Sequence, residues 1–266
     1  MNILLRLCVS LFLVVGIARA LPTQAAPASQ ANAAAMPMPD FTIYHLEGRR
    51  SERIVWLMEE LGLPYKLEFK RGDLAGSMAL IRAISPIVPM APTVKYGDQI
   101  IVESGGIMEL ILNRHAPGRL QPALNSPDYP YHLMWMHYAE GSLASREFSD
   151  YRAWRTQPPT ARSPLVDSEA VVQFADEYLA KHPWFGGSEF SGADIMMKFP
   201  LDVATSLNIV DAAQFPHVAA WKKKIEARPA YQRMLAKARP DGLIGALTPL
   251  PAHAPAGPRP APAPPR

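Results

Sequence analysis

Thiols are almost absent from this chain. Its one cysteine, Cys8, lies in a short apolar stretch near the start, so the body beyond it holds none. That excludes a disulfide framework, a cysteine metal site and a cysteine nucleophile from the body. Any thiol chemistry must then use a thiol carried in by a ligand. Long runs of like charge are missing too. The 27 Lys and Arg are interleaved with 24 Asp and Glu, leaving a formal net charge of +3. A nucleic-acid partner is not expected, because a phosphate-binding surface needs clustered cations. The stretch around Cys8 is too short for a comfortable membrane span. The pairs His132/His137 and His45/His115 lack metal-ligand spacing, so no metal is expected. Apolar mass is plentiful: 48% hydrophobic against 19% charged residues supports real cores, in one large domain or two small ones.

The two ends read differently from the middle. Residues 1–20 have the form of a secretory signal: Arg6, an apolar stretch from Leu7 to Ile17, then Ala18-Arg19-Ala20 as a small-x-small cleavage site. This reading makes the protein periplasmic or exported. A true start at Met36 or Met38 would instead leave it cytoplasmic. Residues 21–39, rich in Ala, Pro, Gln and Ser, predict a disordered spacer. Residues 241–266, where Pro alternates with Ala from about Pro249, predict an extended tail.

Between the ends, residues 41–44 predict a strand, and a helix follows from about Ser51. Ile54, Leu57, Met58 and Leu61 give that helix one apolar stripe, with Gly62 as its stop. Residues 65–70 alternate as a second strand, which a right-handed crossover would pair parallel to the first. A weaker helix spans about 74–83. Residues 93–96 and 99–102 flank Gly97-Asp98 as a hairpin, and a helix runs from Ser104 to about Arg114. After Pro117 no strand is evident. Helices are predicted over 131–153, 167–181, from Ser191-Gly-Ala-Asp194, and over 216–227 and 230–238. The fold class is therefore α/β plus all-α, a β-α-β-α-β-β-α domain over 41–117 followed by a helical-bundle domain over 127–240.

Four passages in this order resemble the glutathione transferase superfamily, in its bacterial and fungal form. They are Arg53 to Tyr65, Ala91-Pro92-Thr93, Glu103-Ser104-Gly-Gly-Ile-Met-Glu-Leu110, and Ser191-Gly-Ala-Asp194-Ile-Met-Met. The resemblance covers about Phe41 to Arg239. It implies that the first domain is thioredoxin-like and binds glutathione as co-substrate, either to conjugate it to a hydrophobic electrophile or to reduce peroxides or disulfides with it. It also implies a cis peptide before Pro92, with the backbone of Ala91 free to pair with the cysteinyl part of glutathione. Glu103 and Ser104 would hold the γ-glutamyl group, and the protein would be a homodimer.

Related transferases place a serine four residues before the counterpart of Arg53, and here that position is Arg49. A nearby cation favours a thiolate, so Arg49 is one candidate activator; Ser51, the nearest hydroxyl, is a second, and Tyr44, within the first strand, a third. If none acts, the protein is a glutathione- or ligand-binding module with the transferase fold. Tyr131, Trp135 and Tyr138 are expected to offer apolar surface to a small hydrophobic electrophile in a second-substrate pocket.

Overall fold

A computed structural model describes residues 34–158 and 166–251. The expected leader lies outside these residues. Strand β1 (Phe41–Tyr44) occupies an inner position of a four-stranded sheet of order β2-β1-β3-β4. Helix α1 (Glu52–Leu61) carries the chain over to β2 (Lys66–Glu68), which pairs parallel to β1. After α2 (Leu74–Ile84), strands β3 (Thr93–Tyr96) and β4 (Gln99–Val102) form an antiparallel hairpin, and β3 also pairs antiparallel with β1. Helix α3 (Ser104–His115) closes this domain. The expected β-α-β-α-β-β-α order is present.

Helix α1 ends where Gly62 takes φ 64 and its N–H donates to the Met58 carbonyl. A residue with a Cβ would be strained there. The helix is buried on more than one face, for Val55 and Trp56 are covered as fully as Ile54, Leu57 and Met58. Its sheet-facing stripe was legible, whereas the second buried face exists because the helical domain packs on it. Carboxylates of α1 reach across to that domain. Glu52 accepts from Arg239, Glu60 from Arg228, and Glu59 from Arg233 and Lys237.

The second domain contains α4 (Tyr129–Tyr138), a π-helical segment (Ala139–Ala144), α5 (Ser145–Trp154), α6 (Ser168–Leu179), α7 (Gly192–Ser206), α8 (Pro216–Glu226) and α9 (Pro229–Ala238). The single helix expected over 131–153 is thus interrupted in its backbone pattern by one π segment. Buried residues of both domains form one continuous apolar core.

Helix α7 starts with a capping box. The Ser191 hydroxyl accepts from Ala193 N–H at 3.2 Å, and Asp194 Oδ2 accepts from Ser191 N–H at 2.9 Å. Asp194 Oδ1 also accepts from Phe185 N–H at 2.9 Å and Trp221 Nε1–H at 2.8 Å. Burial pushes this carboxyl up to about 6, against the pull of those donors.

Two expectations about the ends need correction. The last residues of the expected disordered spacer are tied down: Met36 N–H donates to the Arg114 carbonyl, and His115 Nδ1 donates to the Met36 carbonyl. Met38 packs on the core. The expected extended tail does not begin at 241. Residues 241–251 form a strap held by Arg71–Asp241, by Tyr151 OH donating to the Thr248 carbonyl at 2.7 Å, and by Leu250, which is buried. Leu250 N–H donates to the Leu207 carbonyl at 2.9 Å, and Asn208 donates to the Leu250 carbonyl at 2.9 Å. The few leucines among the prolines supply the apolar contact that the composition concealed.

Candidate functional site

The site begins where β4 turns into α3. Glu103 makes that turn with φ 76, a backbone region that residues with a Cβ rarely adopt. Its side chain is exposed, while Ser104, at the first turn of α3, is buried. The N-terminus of a helix offers unpaired N–H groups and a positive dipole end, which suits a carboxylate. The Ser104 hydroxyl accepts from Arg53 Nη1 at 3.3 Å.

Opposite lies the loop before β3. The Ala91–Pro92 peptide is cis. Among the described residues, none hydrogen-bonds the backbone N–H or C=O of Ala91, whereas Thr93 Oγ1 donates to the Met90 carbonyl at 2.5 Å. A cavity of about 410 Å³ brings Ala91, Pro92, Glu103 and Ser104 together with Arg49 and Arg50. An exposed backbone edge, a helix N-terminus and a free carboxylate therefore face one space.

Arg49 and Ser51 differ in placement. Arg49 lines this cavity, and it is half-buried, with Nη1 donating to the Gly48 carbonyl at 3.1 Å and Nη2 to the Gly245 carbonyl of the strap at 2.7 Å. Burial lowers its pKa, opposed by the charge of Glu52. No carboxylate among the described residues lies within ion-pair distance of it. Ser51 lines neither this cavity nor the larger one beside it. It is wholly buried, and its hydroxyl accepts from Leu46 N–H at 3.1 Å and meets His45 Nδ1 at 2.8 Å. His45 Nε2 faces the Ala238 carbonyl at 2.8 Å, so it carries the proton and Nδ1 accepts from Ser51. Burial pulls the His45 pKa down to about 4, which keeps the ring neutral. The hydroxyl that looked like a second activator thus braces the loop from inside.

Behind the loop lies a cluster of charge. Glu140, in the π segment, accepts from Arg50 Nε at 2.8 Å and Arg53 Nη1 at 2.5 Å. Burial would raise its pKa, but the charges of Arg53 and Arg50 outweigh that and hold it below the usual carboxylate range. Glu147 on α5 is wholly buried, with both carboxyl oxygens unpaired. Burial and the charge on Glu140 push its pKa well above the usual range.

A second, larger cavity of about 620 Å³ adjoins the first and shares Arg49 and Arg50 with it. Its wall comes from α1, α5, α7, α8, α9 and the strap, including Phe148, Phe199, Leu243 and Leu247. Tyr131, Trp135 and Tyr138 do not line it. Trp135 is wholly buried against Phe174, Tyr178 and Phe185, with ring centroids 5.2, 5.0 and 4.8 Å away. Tyr138 donates to the Val171 carbonyl at 3.1 Å, and Tyr131 packs on Tyr178 and His182. Their spacing along α4 turns them toward α6: Trp135 is core, Tyr138 packs partly buried against it, and Tyr131 stays exposed at the edge. Sequence reasoning missed Phe148, Phe199, Glu140 and the strap. Nothing local marks them, because they meet only through tertiary packing.

Residues 160–229 match the family model for the glutathione S-transferase C-terminal domain. The chain is 24% identical over 205 residues to glutathione S-transferase 3 of Schizosaccharomyces pombe, a match covering 71% of this chain and 84% of the relative. Among solved structures it superposes with TM-score 0.65 on a glutathione S-transferase from Actinobacillus pleuropneumoniae, at 26% identity, covering 77% of this chain and 94% of that one. It also superposes with TM-score 0.55 on the theta class glutathione S-transferase from Xanthomonas axonopodis pv. citri, crystallised with glutathione bound, at 25% identity over 79% of this chain and 100% of that one. A four-stranded sheet domain followed by a helical domain, with a cis-proline loop facing a Glu-Ser helix start, defines the class. Over both domains the chain is similar to glutathione transferases.

Proposed function

We propose that the protein is a glutathione transferase that binds glutathione in the 410 Å³ cavity, holds its sulfur as a thiolate and passes it to a hydrophobic electrophile. One observation carries this reading: the free backbone edge of Ala91, the exposed carboxylate of Glu103 and the Ser104 helix start converge on one cavity. These are the groups that a γ-glutamyl-cysteinyl peptide requires. The α-carboxylate of its γ-glutamyl group meets the N-terminus of α3 and the Ser104 hydroxyl. Its ammonium faces Glu103. Its cysteinyl amide pairs with Ala91 in the manner of an added strand. The Xanthomonas relative, which carries glutathione, supports the same occupant.

The sulfur then lies on the side of Arg49 and Arg50, where the cavity opens toward the larger one. Among the described residues no carboxylate lies within ion-pair distance of Arg49, so its charge favours thiolate over thiol, and the thiol proton passes to solvent. The thiolate attacks the electrophilic atom, forming the new bond to sulfur while the leaving group departs with its electron pair. Thiolate absorbance of bound glutathione against pH tests this. In the parent the thiol should titrate below its free value of ~8.5. Arg49→Ala should raise that pKa by about one unit, ~1.4 kcal/mol, and slow transfer at neutral pH in step. Ser51→Ala should lower stability instead, leaving the bound thiol's pKa in place. An unshifted thiol in the parent, with no turnover of any electrophile, would make the protein a glutathione-binding module.

A further inference from the structure

Helix α7 carries a proline, Pro200, in its buried interior. A proline there has no N–H for the carbonyl four residues back, and its ring pushes that carbonyl off the helix axis. The carbonyl is that of Met196, and it finds a partner in the other domain: Arg53 Nη2, on α1, donates to it at 2.6 Å. Arg53 is only 2% exposed, so any donor it leaves without a partner is costly. Its Nη1 serves two acceptors, Glu140 at 2.5 Å and the Ser104 hydroxyl at 3.3 Å. Glu140 is not its own, because Arg50 also donates to that carboxylate. Phe199, next to Pro200, supports the guanidinium from one face, with Cζ 5.3 Å from the ring centroid. One stretch of α7 thus holds Arg53 by a carbonyl and a ring, and Arg53 reaches the helix start that borders the smaller cavity. A hydroxyl has one proton to give. Ser104 accepts from Arg53 and, among the described residues, donates to none, so its proton is free to point outward.

We propose that Pro200 is a positioning residue for the γ-glutamyl end of glutathione: it frees the Met196 carbonyl to fix Arg53, and Arg53 so fixed turns the Ser104 hydroxyl, proton outward, toward the ligand's α-carboxylate. With an ordinary residue at 200, the Met196 carbonyl turns back along the axis to accept the new N–H, and Arg53 Nη2 loses its partner. The guanidinium then swings to Glu140, whose charge makes it the stronger acceptor in reach, and leaves Ser104. Neither Pro200 nor Met196 lines either cavity, so the effect passes through Arg53. The inference rests on the glutathione-binding reading above and adds to it a residue of the helical domain.

Calorimetry on the full chain tests this with two probes, glutathione and 4-aminobutyryl-cysteinyl-glycine, which lacks only the α-carboxylate. Pro200→Ala should bind glutathione about tenfold more weakly than the parent, as one misplaced hydrogen bond to a charged group warrants. It should bind the analogue as the parent does. Its melting temperature should stay level or rise, because a proline inside a helix is unfavourable. Adding Pro200→Ala to Arg53→Met should weaken glutathione no further, since the route through Arg53 is already cut. Three results would overturn the role of Pro200 and leave glutathione binding standing: equal glutathione affinity in the parent and Pro200→Ala, an equal loss for both probes, or a full further loss in the Arg53→Met background. A lower melting temperature accompanying an equal loss for both probes would mark Pro200 as merely structural. A parent that binds no glutathione overturns the glutathione reading itself, and this inference with it.

Discussion

At the scale of single residues, two positions work against the fold's own stability. Glu103 holds φ 76 between β4 and α3, a backbone state that costs about 1–3 kcal/mol for a residue with a Cβ. Glu103→Gly removes that Cβ and the carboxylate together. Its melting temperature should match or exceed the parent's, while glutathione affinity, read by calorimetry, should fall about tenfold, the worth of one charged hydrogen bond. A melting temperature several degrees lower would show that the turn is not strained. Glu147 is the second position. Its folded pKa is raised by burial, so the native state keeps a proton that the unfolded chain releases. Stability must then decline as pH rises from the ordinary carboxylate range through the folded value. Glu147→Gln preserves the shape and abolishes the titration. Its urea midpoint should fall less than the parent's between about pH 5 and pH 8, and parallel declines would contradict the assignment.

At the scale of elements, the start of α7 and the π segment matter most. Asp194 satisfies N–H groups of Ser191, Phe185 and Trp221 from within the core. Asp194→Ala would leave buried donors without partners, and chemical denaturation should show a loss of about 3 kcal/mol or more. A loss under about 1 kcal/mol, the worth of a simple helix cap, would mean that only the cap mattered. The π segment adds a residue to the turn and places Glu140 between Arg50 and Arg53. π segments are rare and recur at functional sites. Here one element of the helical domain thereby fixes the loop that carries Arg49.

At the scale of the whole molecule, the domains are joined through α1, which shares the apolar core and a row of ion pairs with the segment around α9. The strap over 241–251 belongs to this join, since it holds Arg49 by the Gly245 carbonyl and walls the larger cavity with Leu243 and Leu247. A chain ending at residue 240 loses the burial of Leu250, about 2 kcal/mol. It should be less stable by at least that amount, and KM for a bulky electrophile should change more than KM for glutathione. Equal changes in the two KM values would show that the strap does not shape the second cavity.

The sequence by itself determined the elements. Strands β1, β3 and β4 are short alternating segments bounded by turn residues, and Gly62 and Ser191 mark helix ends, so local chemistry fixes them. Ala91, Pro92, Glu103 and Ser104 were legible through the resemblance to glutathione transferases, since their residue types alone suit a plain helix cap and a trans proline equally well. Tertiary structure decided the rest. Whether Ser51 faces a ligand or His45, and whether Trp135 lines a pocket or fills a core, depends on which elements pack behind them. Nothing within a few residues of either records that. The strap is the plainest case: its composition signals an unanchored tail, but Leu250 finds a buried site beside Leu207 that only the assembled helical domain provides. Local propensity sets the conformation of a segment, while burial, which sums contacts from distant parts of the chain, sets where it lies.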